Sequence, residues 1–334
     1  MKKHIDGVPF CSHRHYNCLY VVLDSLLRFY ECEPSVPCFS HWDFIYCREE
    51  GERFTIQGRV VPLPDTLKAF GIALFNRSAN DGQSAWDEVK KLINADTPVA
   101  ISLDVFPLAQ AGLYPRLRHS DHQYIAAGYD DEAATVHLID PSPWQPSARS
   151  IPLELFLASW DVSAIPGESQ DRYNWFWPEM PRRRLTLRPE AVRALLQRNL
   201  CSMSASSGQA NLTVGLEGIE QLAEDTKAWA DYEKPFLKAR LGRCAELLLE
   251  IALLREGHGR FLRHAAQVCQ LPRLNDLSRE FESISQGWFV VKNLCFKGTV
   301  KDATMVLPRI QSRLCALAGR ERTALEALAE VPGG

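Results

Sequence analysis

The sequence predicts an α+β protein, in which a helix precedes an antiparallel sheet and a long helical region follows. Residues 18–30 repeat apolar side chains with the period of a helix, and three later segments have the pattern of buried strands. From residue 187 onward nearly every segment is an amphipathic helix. A helix followed by strands joined through a tight turn favours α+β over a doubly wound parallel sheet.

The composition is that of an ordinary globular protein, with 334 residues, 46% hydrophobic and 24% charged. A net charge of −3 does not indicate the excess of positive charge that is typical of nucleic-acid-binding proteins. No apolar run is long enough for a membrane span, and residues 1–6 do not lead into a signal-peptide core. We therefore expect a cytoplasmic protein without a membrane or nucleic-acid partner. The ten cysteines contain no C-x-x-C pair, which is typical of reduced thiols.

The first helix begins at Cys18, directly after a polar, histidine-bearing segment. Its apolar positions follow helical spacing to Tyr30: Leu19, Val22, Leu23, Leu26, Leu27 and Tyr30. In the first turn of a helix, free backbone N–H groups and the positive end of the helix dipole favour a thiolate over a thiol. Cys18 is therefore a candidate nucleophile.

The segments around this helix are less regular. Residues 1–10 are expected to be extended, and residues 39–46 and 53–61 to hold short strands or irregular structure. The pattern then predicts a helix over Leu63–Phe70, a strand over Gly71–Asn76 and a helix over Ser84–Ala95, with Ser84 as its N-cap.

Three buried strands follow, at Pro98–Asp104, Asp121–Gly128 and Thr135–Asp140. The connection between the last two is short and acidic, so we expect them to form an antiparallel hairpin. His122 starts one of these strands and Asp140 ends the other. Both then lie near the open end of the hairpin, within reach of a cross-strand pair.

A nucleophilic cysteine needs a base and a group that orients the base. Cys18, His122 and Asp140 would supply the three parts in chain order. His119 is an alternative base, but the apolar strand follows His122 more directly. A cysteine at a helix start is more often a packing residue than a nucleophile. An Asp-Pro pair such as Asp140-Pro141 commonly ends a strand without having a catalytic role. The triad hypothesis therefore depends on the hairpin pairing.

Residues 141–181 are rich in Pro and Trp, with a helix expected over Ile151–Trp160 and a strand over Tyr173–Trp177. The helices predicted beyond them are Pro189–Cys201, Gly215–Tyr232, Lys234–Arg255, Gly259–Cys269, Arg273–Phe296 and Thr299–Ala329. The change in composition predicts a boundary near residue 185. This gives a catalytic domain over 1–185 and a helical domain over 186–334.

A zinc site is an alternative interpretation of Cys11, His13, His15 and Cys18. Their spacing matches no common structural zinc motif. A strand would also place the first three residues on one face and leave Cys18 off it. We therefore predict that the protein binds no metal there.

Three features of the sequence resemble the papain-like fold of the double-glycine leader peptidases. They are the helix-start cysteine and the strands in His119–Asp131 and Val136–Pro141. More closely, these segments and the strand ending in Asp104 are similar to the butirosin-biosynthesis acyltransferase family. A fainter likeness extends through residues 215–223 and 259–266. The resemblance implies a papain-like fold, with the N-terminal helix packed on an antiparallel sheet, followed by an all-helical domain.

The resemblance also implies an activity. It is the transfer of an acyl or aminoacyl group from a carrier-protein thioester, through a Cys18 acyl-enzyme, to an amine acceptor in natural-product biosynthesis. The donor would be the 4′-phosphopantetheine arm of an acyl or peptidyl carrier protein, and no other cofactor is expected. A cysteine hydrolase, whether peptidase, amidase or thioesterase, and an inactive carrier-binding module remain alternatives. A homodimer is also left open.

The oxyanion donor is where the sequence departs from papain-like enzymes, which generally place a Gln several residues before the cysteine. Residues 11–17 contain no Gln. Asn17 and Ser12 are the candidate donors, beside the backbone N–H of Cys18, while His13 and His15 are further substitutes.

The remaining expectations concern the substrate and the carrier protein. Asp104, Tyr124 and Trp144 are the residues predicted to line a substrate pocket. Carrier proteins are acidic, so the basic residues Arg182–Arg184, with Arg188 and Arg193, form a hypothetical docking face.

Overall fold

The computed structural model describes residues 1–11, 17–33, 35–49, 53–115, 118–142, 146–165, 172–180, 188–207, 209 and 211–331. Within these ranges the α-helices are α1 (Cys18–Phe29), α2 (Ser35–Phe39), α3 (Leu63–Ala69), α4 (Gly82–Asn94), α5 (Val105–Gln110), α6 (Leu153–Trp160), α7 (Pro189–Ser204), α8 (Gly215–Ala228), α9 (Lys234–Cys269), α10 (Arg273–Val300) and α11 (Leu307–Ala329). The strands are β1 (Lys2–His4), β2 (Ile45–Arg48), β3 (Phe54–Gln57), β4 (Ala73–Ala79), β5 (Val99–Asp104), β6 (Asp121–Asp130), β7 (Thr135–Asp140), β8 (Ser147–Pro152), β9 (Tyr173–Glu179) and β10 (Leu212–Val214).

The chain divides into two compact units. The first comprises residues 1–34 and 67–185, and the second comprises 35–66 and 186–334. The chain passes to the second unit at residue 185, as in the predicted domains, but residues 35–66 also belong to that unit. The reason is that β2 pairs with β10 and that Trp42 and Phe44 join the helical core. The sequence pattern of this short aromatic segment does not reveal these long-range partners.

The first unit is built on an antiparallel sheet in the order β4-β9-β5-β6-β7-β8, with β1 pairing beside β6. Helix α1 contributes Val22 and Leu26 to the core of this unit, and α4 contributes Trp86 and Val89. These side chains are 2% exposed or less. The expected α+β class is confirmed, because helices cover an antiparallel sheet here and a helical region follows it.

Two predicted details of the first unit are wrong. Asp81, not Ser84, is the N-cap of α4, and its carboxylate accepts from the Ser84 backbone N–H at 2.7 Å. Ile151 does not begin a helix but lies in the edge strand β8, where it pairs with Val136 of β7. Both errors occur in short polar stretches. A helix cap and an edge strand produce little of the hydrophobic periodicity from which helices and strands are predicted.

The second unit combines the small antiparallel sheet β10-β2-β3 with helices α7 to α11. Its centre holds a fully buried ion pair, in which Arg255 donates to both carboxylate oxygens of Glu321 at 2.9 Å. The indole N–H groups of Trp42 and Trp288 also donate to Glu321. Such a carboxylate is stable in the interior because its hydrogen-bonding capacity is filled.

Helix α9 differs from the prediction of two helices separated near Gly257. It is one continuous helix of 36 residues. A Cβ atom at Gly257 would lie 2.1 Å from the Phe39 ring, and one at Gly259 would lie 2.9 Å from the Ser278 carbonyl oxygen. The glycines therefore permit close packing rather than end the helix. None of the described helices is long and apolar enough to cross a membrane.

Candidate active site

Cys18 is the first residue of α1, as predicted. The preceding Asn17 is the N-cap, and its side-chain oxygen accepts from the Tyr20 backbone N–H at 3.0 Å. This cap leaves the N–H groups at the very start of the helix free of intrahelical partners. The apolar spacing that predicts α1 buries Val22, Leu23, Leu26 and Leu27 completely.

His122 and Asp140 come together across the β6–β7 hairpin. Ile125 pairs with Ile139, so Asp140 lies diagonally across the two strands from His122. Nε2 of His122 donates to the Asp140 carboxylate at 3.1 Å. The contact predicted from the hairpin is therefore present, although its catalytic role stays a prediction.

The Cys18 side chain lies close enough to His122 to raise the pKa of its ring. Because Asp140 binds Nε2, the other ring nitrogen, Nδ1, is the one left for the thiol. Burial lowers the pKa of His122, but the neighbouring Asp140 and Cys18 side chains outweigh it and raise the pKa to about 9. Both side chains of the His–Asp pair are largely buried, with 17% of His122 and 10% of Asp140 exposed. The site thus holds a positively charged imidazole beside a thiol.

Two tyrosine rings border the His122 ring. Tyr124 meets it edge-on at 4.9 Å between ring centroids, and Tyr114 lies at 5.7 Å. Tyr124 is buried, and burial followed by the negative charge of Asp140 raises the pKa of its phenol. The predicted pocket residue Tyr124 therefore borders the site, while its contact with a substrate stays a prediction. Tyr114 was missed because it lies in a loop without periodic signal.

Cys11 is anchored next to Asp140, at Pro141. The Cys11 backbone N–H donates to the Pro141 carbonyl oxygen at 3.1 Å, and the Cys11 side chain contacts Asp24 of α1. Ser12, His13 and His15 lie outside the described residues, so the second oxyanion donor and the zinc alternative are not tested. Trp144 and Arg182–Arg184 also lie outside them. Asn17 uses only its side-chain oxygen in the cap, and its role as an oxyanion donor stays a prediction.

Asp104 has a different position from the one expected for a pocket residue. Its side chain is 2% exposed, and it accepts from the backbone N–H groups of Phe106 and Ser120 and from Nδ1 of His119 at 2.6 Å. These bonds cap α5 and hold the turn before β6, leaving little carboxylate surface for a substrate. They also show that His119 pairs with Asp104, whereas His122 pairs with Asp140.

The fold and this geometry define a class of α+β protein in which a helix-start thiol and a carboxylate both lie beside one imidazole. Residues 17–141 match the family described as Butirosin biosynthesis protein H, N-terminal, and residues 165–328 match a family described only as a domain of unknown function. A comparison with curated proteins found no match.

Proposed function

We propose that the protein is a cysteine-dependent acyltransferase that moves an acyl or aminoacyl group from a carrier-protein thioester to an amine. The observation that carries this proposal is the chain of contacts from Asp140 through His122 to Cys18, with the pKa of His122 raised to about 9. In the same proposal the first unit has a papain-like fold. Its helix-start cysteine and sheet-borne histidine and aspartate support that assignment.

In the first half-reaction, the Cys18 thiolate attacks the thioester carbonyl carbon, and the carbonyl π electrons move to oxygen. The C–S bond to the phosphopantetheine arm then breaks, leaving the acyl group on Cys18. The departing thiolate takes a proton from the His122 imidazolium, which the raised pKa keeps protonated near neutral pH. The backbone N–H of Cys18 stabilises the developing oxyanion.

In the second half-reaction, an amine attacks the Cys18 acyl-enzyme. Neutral His122 takes one proton from the attacking nitrogen as the C–N bond forms, and the C–S bond to Cys18 breaks to release the amide. The cysteine is again a thiolate beside an imidazolium, ready for the next turnover. Asp140 holds the ring in one tautomer throughout, because Nε2 stays bound to its carboxylate.

The biosynthetic setting of the proposal comes from the family. The family description names a butirosin biosynthesis protein, and residues 17–141 of this chain match its N-terminal part. We therefore place this protein in antibiotic or related natural-product biosynthesis, with an acyl or peptidyl carrier protein as donor and a small-molecule amine as acceptor. A thioester donor suits the cysteine, because exchange between two thioesters is nearly thermoneutral.

The decisive experiment uses an acylated carrier protein and intact-mass measurement. The wild type should gain the mass of the acyl group, and Cys18→Ala should not gain it. Adding amines should then convert the adduct to amide. Release of free acid in the presence of amines would instead make the protein a hydrolase. Absence of any adduct, with the carrier protein still bound, would make it a binding module.

A further inference from the structure

The exposed side of helices α10 and α11 carries an excess of positive charge. Between residues 286 and 319 a single residue is acidic, Asp302. Five residues of this segment are basic: Lys292, Lys297, Lys301, Arg309 and Arg313. Lys292 is half-buried and the other four are exposed. None of the five forms an ion pair with any residue in the part of the chain that the structure describes. We call this surface the basic face.

The two helices bring these residues to one surface, because they pack side by side in opposite directions. A Cβ atom at Gly298, near the end of α10, would lie 2.9 Å from the side chain of Val306, which directly precedes α11. Arg320 of α11 donates to Glu280, in the first half of α10, at 2.9 Å. Arg313 lies about two helical turns before Arg320, so it lies on the same side of α11, toward α10.

The start of α9 adds two more lysines beside Asp302. Hydrogen bonds from Thr304 are the main influence that lowers the pKa of Asp302, and the charges of Lys234 and Lys238 lower it further. These two lysines therefore lie close to the carboxylate. Both are exposed, and neither forms an ion pair within the described ranges.

The acidic residues of this part of α9 do not balance the charge. Glu246 binds Arg243 at 3.5 Å, so this pair is neutral. Glu233 is the N-cap of α9 and precedes Lys234, so it offsets at most one lysine. Counted over the residues that the structure describes here, the basic face keeps a net positive charge.

Exposed apolar side chains run through the basic face. Phe296 and Val300 are 60% and 68% exposed, and they alternate with Lys297 and Lys301 along the last turns of α10. Residues four apart are neighbours on a helix surface, so the two apolar side chains form a stripe. Met305, in the turn after the helix, is 74% exposed. Adjacent large apolar side chains that remain exposed are typical of an interaction surface.

The arrangement fits an acidic protein better than a membrane or a second copy of this chain. A helix that lies in a membrane surface buries its apolar side in lipid, whereas α10 buries that side in the protein, through Trp288, Val291 and Cys295. What remains exposed is a narrow apolar stripe bordered by charges, which resembles a protein interface with an apolar centre and a polar rim. In a two-fold dimer through this face, lysines would oppose lysines.

We propose that the basic face binds the acidic carrier protein that donates the acyl group. Acidic side chains of the carrier protein would lie against Lys297 and Lys301, and apolar side chains would cover Phe296 and Val300. Charge complementarity selects the acidic partner, and the apolar contact adds affinity. The inference rests on the proposed function, which names the carrier protein, and it adds a docking surface separate from the basic residues Arg182–Arg184 suggested by the sequence.

Binding is measured by calorimetric titration of the phosphopantetheinylated carrier protein into the full chain carrying Cys18→Ala. The carrier protein is the same one that is offered to Cys18 in the acylation experiment. Lys297→Glu combined with Lys301→Glu should raise the Kd at least about tenfold, because attraction becomes repulsion. Phe296→Ser should raise the Kd about three- to tenfold, because it removes apolar contact. Unchanged Kd in both variants would overturn the proposal.

The matched control is Lys68→Glu combined with Arg77→Glu. It makes the same change in net charge at two exposed residues of the first unit that have no ion pair among the described residues. The control should keep the Kd within about twofold. A loss as large as that of the double lysine variant would mean that net charge alone acts, and it would overturn the proposal.

Other occupants and the proposed function are tested with the same variants. Wild-type binding to phosphatidylglycerol vesicles, or a dimer in analytical ultracentrifugation, that the double lysine variant abolishes would assign the face to a membrane or a second copy instead. Acylation of wild-type Cys18, with carrier binding unchanged in the variants, would remove the docking face and leave the acyltransferase. Carrier binding that the variants weaken, without acylation of wild-type Cys18, would remove the acyltransferase and leave the docking face.

Discussion

Two histidines, His122 in the first unit and His258 in the second, have opposite acid–base properties. His122 contacts a carboxylate and a thiol, and its pKa is raised to about 9. His258 is fully buried against the rings of Trp42, Phe261 and Phe281, and its Nδ1 donates to the Phe39 carbonyl oxygen at 3.1 Å. Burial is the largest influence there and lowers its pKa to about 3.

The comparison shows how environment separates a candidate catalytic histidine from a structural one. Burial opposes the charged ring at both positions, so burial cannot explain the difference. What differs is the partner: Asp140 and Cys18 stabilise the imidazolium, whereas a single carbonyl beside His258 does not offset desolvation. A histidine held in the charged form beside a thiol is suited to proton transfer, and a neutral histidine in an aromatic core is suited to packing.

The largest expected effect is that of His122→Gln. We expect the rate of acyl transfer to fall about 10²–10⁴-fold, since the substitution removes the proton donor and acceptor. Steady-state transfer from an acylated carrier protein to an amine measures this. The matched control is His119→Gln, which removes a ring bound to Asp104 instead of Asp140 and should retain transfer within about threefold. A control as impaired as His122→Gln would make His119 the base.

Asp140→Asn should have a smaller effect on rate and a distinct effect on pH dependence. Wild-type acylation should decline as the pH rises through about 9, where His122 loses the proton required by the leaving thiolate. Removing the Asp140 charge lowers the pKa of His122, so this decline should move down by about one to three pH units. The acylation rate of wild type and variant measured against pH checks this shift. If the rate of Asp140→Asn declined at the same pH as that of the wild type, Asp140 would be excluded as the group that orients His122.

The smallest expected effect concerns His258 and appears as stability. Its pKa is lowered in the folded state, so its contribution to stability is present above the unfolded pKa of about 6.5 and is lost as the pH falls toward about 3. Between pH 7 and pH 5, protonation of the unfolded state alone removes about 2 kcal/mol of unfolding free energy. The glutamine of His258→Gln cannot titrate, so the unfolding free energy of this variant should not show that loss of about 2 kcal/mol between pH 7 and pH 5. Urea unfolding at both pH values measures the difference, and equal slopes would contradict a neutral buried His258.

Much of the candidate site was predictable because it depends on local pattern. Apolar spacing located the start of α1 at Cys18, and a short turn between two strands brought His122 to Asp140. Asp104 was predicted less well, because strand-end carboxylates serve both as caps and as binding groups, and the sequence pattern is the same for both. Tyr114 and the hydrogen bond from Cys11 to Pro141 depend on loop paths that have no periodic signal.

By itself, the sequence determined the α+β class, the first helix and the hairpin, because side-chain period and turn length act over a few residues. Only the tertiary structure decided that residues 35–66 belong to the helical unit, that α9 continues through Gly257 and that His258 is neutral. These features arise from contacts between residues far apart in the chain, such as Phe39 with Gly257. Local propensity carries no information about which distant ring or carboxylate a side chain will meet.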